Sequence, residues 1–288
     1  MGVQRNGGTT PSGGPTATNM NLTIATQNIH ALGPDWDKRR GVLVDGLRQL
    51  NADVLLLQKT RAPEDADSVA NLLGEGYQVA DSARREPNGQ GISIASRWPI
   101  RRTHEVDLSI ASERTGNFAC TALIAEIDAP QPIGRLLVAN HFPDFQADHE
   151  LERERQAVLL VREISELLEL ADAHVIIGGD LDAEPDAASL RFLMGKQSLD
   201  GMSVCYRNAW DFLPASAEVG TFARSNPLAP PAWPFDRIDH LLVRCGRDGQ
   251  PTLEITGCDR IFTHPVNDIH ASNHFGLVMR LRTRSDAE

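Results

Sequence analysis

The feature that most constrains this chain is a series of short apolar runs that each end beside polar side chains capable of acid-base chemistry. One run leads into IIGGDLDAEPD, one into IATQNIH, and two lie within RIDHLLV and ASNHFGLV near the C-terminus. Apolar runs of this length, bounded by turn residues, are typical of buried strands. The sequence therefore predicts a sheet-based fold whose functional residues lie at strand ends.

The order of strand and helix signals favours one α/β architecture. Helical spacing occurs around Leu43, Leu47 and Leu50, and again between about Glu150 and Ala171. In the middle of the chain, several strand signals follow one another with only turns between them. We therefore predict a four-layer α/β/β/α sandwich of two packed mixed sheets, rather than one doubly wound parallel sheet. The predicted strands are Leu22–Asn28, Val54–Gln58, Gly91–Ser96, Cys120–Ile127, Leu136–Asn140, Val175–Gly179, Ile238–Val243 and Phe275–Leu281.

Length and composition bound the domain organisation. The chain has 288 residues, of which 41% are hydrophobic, which allows one large domain or two smaller ones. Because no Gly/Pro/Ser-rich linker interrupts the chain after about residue 20, we expect a single domain over residues 20–288. Residues 1–19 contain almost no large apolar side chain and are predicted to be a disordered arm.

Charge and apolar content limit the partners. No window approaches the roughly 18 consecutive apolar residues needed to cross a bilayer, and the N-terminus lacks the apolar core of a secretory signal. We therefore expect a cytoplasmic protein without a membrane span. The net charge of −11 repels nucleic acid, which favours a small-molecule substrate and disfavours a nucleic-acid partner.

The cysteines indicate neither a zinc site nor a disulfide framework. They are far apart and show no CxxC spacing, so buried free thiols are expected. The four are Cys120, Cys205, Cys245 and Cys258.

Two carboxylates follow the apolar run that ends in GGD. Asp180 and Asp182 are two residues apart, which places them on the same face if the strand continues. Paired carboxylates bind a divalent cation through oxygen, or one serves as a general base while the other orients it. The alternative is an Asp-rich turn leading to a helix that starts near Pro185.

Asp239 and His274 form a second candidate pair. An aspartate that accepts a hydrogen bond from one imidazole nitrogen fixes the tautomer and leaves the other nitrogen for substrate. A single histidine at a strand end is more often a surface residue or a hydrogen-bonded core residue. Two further polar strand ends, at Asn28 and His141, strengthen the functional interpretation.

Seven motifs occur in the order found in the endonuclease/exonuclease/phosphatase superfamily, which the chain resembles from about Leu22 to Leu281. TQNI resembles its T-W-N-I, LLLQK its L-Q-E, GISIASRWPI its G-x-x-I-x-S-R-x-P-I, and VANHF its T-H-L strand. GGDLDAEPD resembles G-D-F-N-x-x-P, RIDHLLV resembles R-I-D-Y-I-x-V, and SNHFGLV resembles S-D-H-x-G-V. The resemblance implies the four-layer fold and hydrolysis of a phosphoester by in-line attack of water, with Mg²⁺ neutralising the developing charge.

The resemblance also implies roles for individual residues. Asp180 would activate or orient the water, and Asp182 would help to bind phosphate. His274 would stabilise the phosphoryl oxygens, with Asp239 as its orienting partner. His141 would contact phosphate.

The departures from the family pattern fall on the metal site. The resemblance implies that Asn28, Asp180 and Asp182 hold Mg²⁺ or Mn²⁺ if a metal is bound. The family's principal ligand, the Glu of L-Q-E, is replaced by Lys59, and the Asp of S-D-H is replaced by Asn273. At an effective dielectric near 20, two unit charges about 4 Å apart interact by roughly 4 kcal/mol, which weakens cation binding by about three orders of magnitude.

Three functions remain open at this stage. The first is a phosphoester hydrolase with a weakened or relocated metal site, which we rank first because its acidic, histidine and amide residues are all present. The second is a metal-independent acid-base enzyme in which Lys59 replaces the metal cation, acting on a substrate that need not contain phosphorus. The third is a non-catalytic binding protein that keeps the pocket. In both enzyme hypotheses, we expect Asn28, His141 and Asn273 to contact substrate. We also expect the Lys59 ammonium to point into the cleft and to pair with Asp180 or Asp182.

Overall fold

The computed structural model describes residues 20–116, 118–214 and 219–284, and the predicted arm 1–19 lies outside these residues. In the described part of the chain, two mixed six-stranded sheets pack face to face, with helices on their outer surfaces. The predicted α/β sandwich of two sheets is therefore confirmed.

The first sheet has the strand order β11-β12-β1-β2-β4-β3. Its strands are β1 Asn21–Asn28, β2 Val54–Thr60, β3 Gln78–Asp81, β4 Gly91–Ser96, β11 Leu253–Ile261 and β12 Gly276–Thr283. β1 and β2 are parallel, and the other neighbours are antiparallel.

The second sheet has the strand order β5-β6-β7-β8-β10-β9. Its strands are β5 Ile100–Asp107, β6 Thr121–Asp128, β7 Arg135–Phe142, β8 His174–Asp180, β9 Tyr206–Asn208 and β10 Asp239–Arg244. β7 and β8 are parallel, and the other neighbours are antiparallel. All eight predicted strands are present, whereas β3, β5, β9 and β11 were not predicted. β5 shows why: it is an edge strand whose residues are exposed or half-buried, so it lacks an apolar run.

The longer helices cover the outer faces of the sheets. The helices are α1 Trp36–Leu50, α2 Val69–Leu73, α3 Glu150–Leu170 and α4 Ala188–Leu193. The long helix α3 begins at Glu150, as predicted. The helix expected near Pro185 begins three residues later, because the Ala187 amide first donates to the Glu184 carbonyl in a turn.

Alternating side chains on the central strands build three apolar layers. On β2, Leu56 belongs to the core between the sheets, whereas Leu55 and Leu57 belong to the cluster that contains the buried face of α1. On β8, Ile176 faces the inner core and Ile177 belongs to the cluster that contains the buried face of α3. This period of two places one face of each sheet on the inner core and the other under helices.

Two expectations drawn from composition have different outcomes. No helix among the described residues is long and apolar enough to span a membrane. Three of the four free cysteines are buried, but Cys205 is exposed. The expectation of a buried thiol is therefore wrong for Cys205, which immediately precedes the edge strand β9.

Gly179 allows β8 to run close to β7 immediately before Asp180. Its φ is 142°, and a Cβ at this position would lie 2.2 Å from the His141 carbonyl oxygen. We expect Gly179→Ala to lower the free energy of unfolding by about 3 kcal/mol or more, through backbone strain and this clash. Gly41 lies on the exposed face of α1, where a Cβ would have nothing within 4 Å, so Gly41→Ala should raise the free energy of unfolding by about 0.5–1 kcal/mol. Urea unfolding of both variants measures this, and equal stabilities would contradict it.

Candidate active site

Four polar side chains meet where the ends of the two sheets come together. Asn28 ends β1, and His274 lies just before β12, which are neighbouring strands of the first sheet. Asp180 and Asp239 are paired neighbours on β8 and β10 in the second sheet. His274 Nδ1 lies 3.0 Å from Asp239 Oδ2, and Asn28 Nδ2 donates to Asp180 Oδ2 at 2.8 Å. His274 Nε2 lies 3.7 Å from Asp180 Oδ2. The predicted contact between Asp239 and His274 is present, and Asp180 faces the same ring.

The dyad geometry assigns the nitrogens of His274. Because a carboxylate only accepts hydrogen bonds, the contact to Asp239 places a proton on Nδ1 and directs Nε2 toward Asp180 and Asn28. Burial raises the pKa of Asp239, and the neighbouring His274 opposes that shift. The ring is therefore oriented from behind by a fully buried acid, with its second nitrogen on the pocket side.

Asp182 reaches the pocket through a turn and not along the strand. β8 ends at Asp180, and Asp182 has a left-handed φ of 47°, so the expected shared strand face does not apply. The turn is held by His240, whose Nε2 donates to the Ala183 carbonyl at 2.9 Å while its Nδ1 accepts from Asn208 at 3.1 Å. Both aspartates nevertheless line one pocket. Burial, reinforced by the Asp180 charge, raises the pKa of Asp182 well above its usual range.

Lys59 lies at a β-bulge. The register between β2 and β4 shifts between Gln58 and Thr60, which makes Lys59 the extra residue, with a φ of 53°. Left-handed backbone costs a non-glycine residue of order 1 kcal/mol, and bulges near active sites re-aim side chains. Lys59 lines the same pocket as Asp180 and Asp182, as expected.

The predicted direct pairing of Lys59 is not found. Among the described residues, no ion pair joins its ammonium group to Asp180 or Asp182. Its charge acts through space: burial dominates the pKa of Asp182, and Lys59 lowers that pKa against the effect of burial. Lys59 therefore remains available to a ligand in the pocket.

His141 is not brought to the pocket. On β7 it has the same parity as Leu137 and Ala139, which belong to the cluster containing the buried face of α3, whereas Phe142 belongs to the inner core. Its ring is buried, and within the described residues its Nδ1 has no partner. Burial lowers the pKa of His141 to about 3. This geometry gives no support to its predicted phosphate contact.

Buried neutral histidines predict acid sensitivity. Burial lowers the pKa of His141 to about 3 and of His240 to about 4, below the usual 6.5. Between these values the unfolded chain binds more protons, so stability rises with pH and is lost as pH falls below about 6.5. From pH 7 to pH 5, each histidine should cost about 2 kcal/mol. Urea unfolding of the unmodified chain and His141→Leu should show a loss about 2 kcal/mol smaller in the variant; equal losses would contradict this.

The pocket has a volume of about 320 Å³ and combines charged groups with an apolar wall. The polar side is formed by Lys59, Asp180, Asp182, Asn273 and His274. The wall, which the sequence analysis missed, is formed by Phe118, Phe142, Phe145, Phe222, Pro230, Trp233 and Ile238. Larger grooves of about 460 and 720 Å³ lie elsewhere, but neither includes any of the paired acids or His274. The smaller pocket is therefore the candidate active site.

Buried amide and guanidinium groups that the sequence analysis missed hold the site in place. Asn140 donates to the Ser93 carbonyl and accepts from Gln58, the residue before Lys59, across the interface between the sheets. Arg39 on α1 donates to the carbonyls of His30 and Ala271, which fixes the loops that follow Asn28 and precede His274. Their signal in the sequence is weak, because Arg39 lies in the first turn of an ordinary helix and Asn140 lies within a strand.

Three of these residues form the only grouping of candidate metal ligands found among the described residues. Ligand atoms of Asp180, Asp239 and His274 lie within 4.8 Å of one another, close enough for one cation, and Asp180 Oδ1 is buried without a hydrogen-bond partner. However, His274 Nδ1 is bound to Asp239, and Asn28 Oδ1 accepts from the His30 amide. Mg²⁺ prefers near-octahedral oxygen coordination.

This donor set does not fit a tightly held Mg²⁺. It offers few free oxygen atoms, and the Lys59 ammonium shares the pocket. Asn273, which also lines the pocket, adds no negative charge. The predicted metal ligands Asn28, Asp180 and Asp182 remain a prediction.

The comparisons with known proteins agree with this architecture. The sequence model described as Endonuclease/Exonuclease/phosphatase family matches residues 25–254. No curated protein is similar enough in sequence to match the chain. Among solved structures, TDP2 from D. rerio, complexed with single strand DNA product, is 17% identical with a TM-score of 0.69, over 91% of this chain and 99% of that one.

Two further solved structures show the same fold. The human Nocturnin catalytic domain with bound sulfate anion is 17% identical with a TM-score of 0.71, over 92% of this chain and 95% of that one. An endonuclease/exonuclease/phosphatase family protein from Bacteroides thetaiotaomicron is 18% identical with a TM-score of 0.70, over 94% and 98% of the two chains. At these identities the likeness concerns the fold.

Proposed function

Because the chain belongs to the Endonuclease/Exonuclease/phosphatase family, we propose that it hydrolyses a small phosphoester in the pocket lined by Lys59, Asp180 and His274. The observation that carries this proposal is the hydrogen-bonded group of Asn28, Asp180, His274 and Asp239, contributed by both sheets to one end of the sandwich. It provides an acceptor for a water proton beside an oriented imidazole, which are the groups that in-line hydrolysis requires.

Asp180 serves as the acceptor for the attacking water. Its Oδ2 is held by Asn28, and its buried Oδ1 has no hydrogen-bond partner among the described residues. A water bound at Oδ1 attacks phosphorus and transfers a proton to the carboxylate as the new P–O bond forms. The bond to the leaving group breaks on the opposite side, its electron pair stays on the leaving oxygen, and that oxygen takes up a proton from solvent water.

His274 and Lys59 stabilise the charge that develops on the phosphoryl oxygens. Both residues line the pocket, and His274 acts in its protonated form, with Nδ1–H bound to Asp239 and Nε2–H donating to phosphate. Preorganised charge at such a site is a large contributor to catalysis. Burial and the Asp180 charge raise the pKa of Asp182, which favours its protonated form, an O–H donor to phosphate. A divalent metal supplies charge neutralisation in the family. We propose that Lys59 carries most of that role here, so that catalysis depends only weakly on added metal.

A small substrate suits this chain better than a nucleic-acid strand. The net charge of the chain is −11, and Lys59 is the one Lys or Arg among the described residues that line the pocket. One ammonium and one imidazole match a single phosphate group. A strand binds through many phosphate contacts, which need several cationic side chains.

Hydrolysis of simple chromogenic esters tests this proposal. The purified chain should release nitrophenol from bis(4-nitrophenyl) phosphate or 4-nitrophenyl phosphate, and EDTA should leave most of that rate intact. Asp180→Asn serves as the matched control, because it keeps the shape and removes the acceptor. If neither ester is hydrolysed faster by the unmodified chain than by Asp180→Asn, with or without Mg²⁺, the proposal is wrong.

A further inference from the structure

We infer that the substrate of this pocket carries one phosphate group joined to a flat, apolar, uncharged group, which binds against the aromatic wall. This inference rests on the proposed function, which supplies the phosphate, and it adds the chemical class of the remainder. The wall consists of the seven apolar residues named above for the pocket.

Aromatic residues are concentrated at this one place. The chain is poor in them, with 5% aromatic content, nine Phe and four Trp in all. Four of those Phe and one Trp line the pocket. Phe142 and Phe118 also pack in or against the inner core, whereas Phe145, Phe222 and Trp233 belong to none of the core clusters of the described residues. The position of these three rings beside the paired acids points to a ligand.

The rings form a surface directly beside the reacting groups. Phe118 contacts Phe145 edge-on with centroids 5.0 Å apart, and it contacts Phe142 at 5.2 Å. Phe222 lies 4.5 Å from the His274 ring, at an interplanar angle of 39°. A phosphate beside His274 would therefore have an aromatic wall within reach of its organic substituent. Aromatic rings favour offset or edge contacts with other rings, which selects a flat group.

Exposure of part of this wall agrees with a binding surface. Phe145 is 36% exposed, although its ring contacts Phe118. An apolar pocket with a few convergent polar groups is the usual form of a small-molecule site. Lys59 is the one Lys or Arg among the described residues that line the pocket, and the phosphate group of the substrate occupies it. No cationic side chain is left for a second anionic group, so we infer that the flat part of the substrate is uncharged.

Binding of two non-hydrolysable phosphonates tests the inference apart from catalysis. Calorimetry should show that phenylphosphonate binds at least tenfold more tightly than methylphosphonate. Phe145→Ala should weaken phenylphosphonate by about fivefold or more and leave methylphosphonate unchanged. The matched control is Phe212→Ala, because Phe212 is 37% exposed and does not line the pocket.

Each result separates the two proposals. Equal affinity for the two phosphonates, no binding of either, or equal effects of the two alanine variants would overturn the inference. Tighter binding of a short thymidine oligonucleotide than of phenylphosphonate would overturn it as well. Selective phenylphosphonate binding without hydrolysis of any ester would uphold the inference while removing the proposed function. Ester hydrolysis without selectivity between the two phosphonates would uphold the proposed function and overturn the inference.

Discussion

Replacement of His274 by alanine is expected to reduce phosphoester hydrolysis by at least about 1000-fold. The ring is held by Asp239 at 3.0 Å and faces Asp180, so its loss removes an oriented imidazole that, when protonated, donates from Nε2 to the phosphoryl oxygens. Positioned acid-base groups contribute about 10²–10⁴-fold, and electrostatic stabilisation contributes a comparable factor. Steady-state rates with 4-nitrophenyl esters measure the change.

The same substitution affects stability, which requires a control. Removing His274 leaves Asp239 buried and unpaired, at a cost of about 3–5 kcal/mol. The double variant Asp239→Asn with His274→Gln removes the charge while keeping polar side chains at both positions, and it should be more stable than His274→Ala. Near-full activity in either folded variant would exclude His274 from the mechanism.

Lys59→Glu combined with Asn273→Asp is expected to raise Mg²⁺ affinity by about three orders of magnitude. Each substitution adds negative charge to the pocket that contains Asp180. At about 4 Å and an effective dielectric near 20, removing one unit repulsion is worth roughly 4 kcal/mol, or about 10³ in affinity, and the added carboxylates can only increase this gain. The variant should also lose EDTA-resistant activity, because the ammonium is gone. Calorimetric titration with Mg²⁺ measures the affinity.

An exposed lysine provides the matched control. Lys196→Glu makes the same two-unit change of net charge as Lys59→Glu alone, at a residue that is exposed and does not line the pocket. It should leave Mg²⁺ affinity and EDTA-resistant activity within a factor of about two, since exposed charges are screened. Equal gains in Mg²⁺ affinity in both variants would show that net charge, and not the pocket, controls cation binding.

The parts of the fold that were predicted are those encoded by local pattern. Central strands such as β2 and β8 are buried on both faces, so they read as apolar runs and were found. The start of α3 at Glu150 was found because its apolar spacing is regular. β5 and β11 were missed, since a half-exposed edge strand leaves a weak apolar signal.

The site was predictable where it follows strand ends and not where it depends on loops. The contact between Asp239 and His274 followed from motif order, but the bulge that aims Lys59 is invisible in the sequence. The aromatic wall was missed because Phe118 and Trp233 lie outside strands and helices, and only three-dimensional packing brings them together. Strand alternation gives His141 the parity of residues in the cluster under α3, so its phosphate contact stays a prediction without geometric support.

The most direct test of the proposed role of Lys59 is calorimetric titration of Mg²⁺ into the unmodified, metal-stripped protein, paired with its hydrolysis rate in EDTA. Lys59 shares the pocket with Asp180 and Asp182 and has no ion-pair partner there among the described residues. The account predicts no stoichiometric binding below about millimolar Mg²⁺, a value three orders of magnitude above a micromolar site, together with phosphoester hydrolysis that persists in EDTA. Tight one-to-one Mg²⁺ binding with hydrolysis abolished by EDTA would contradict it and identify an ordinary metal-dependent hydrolase.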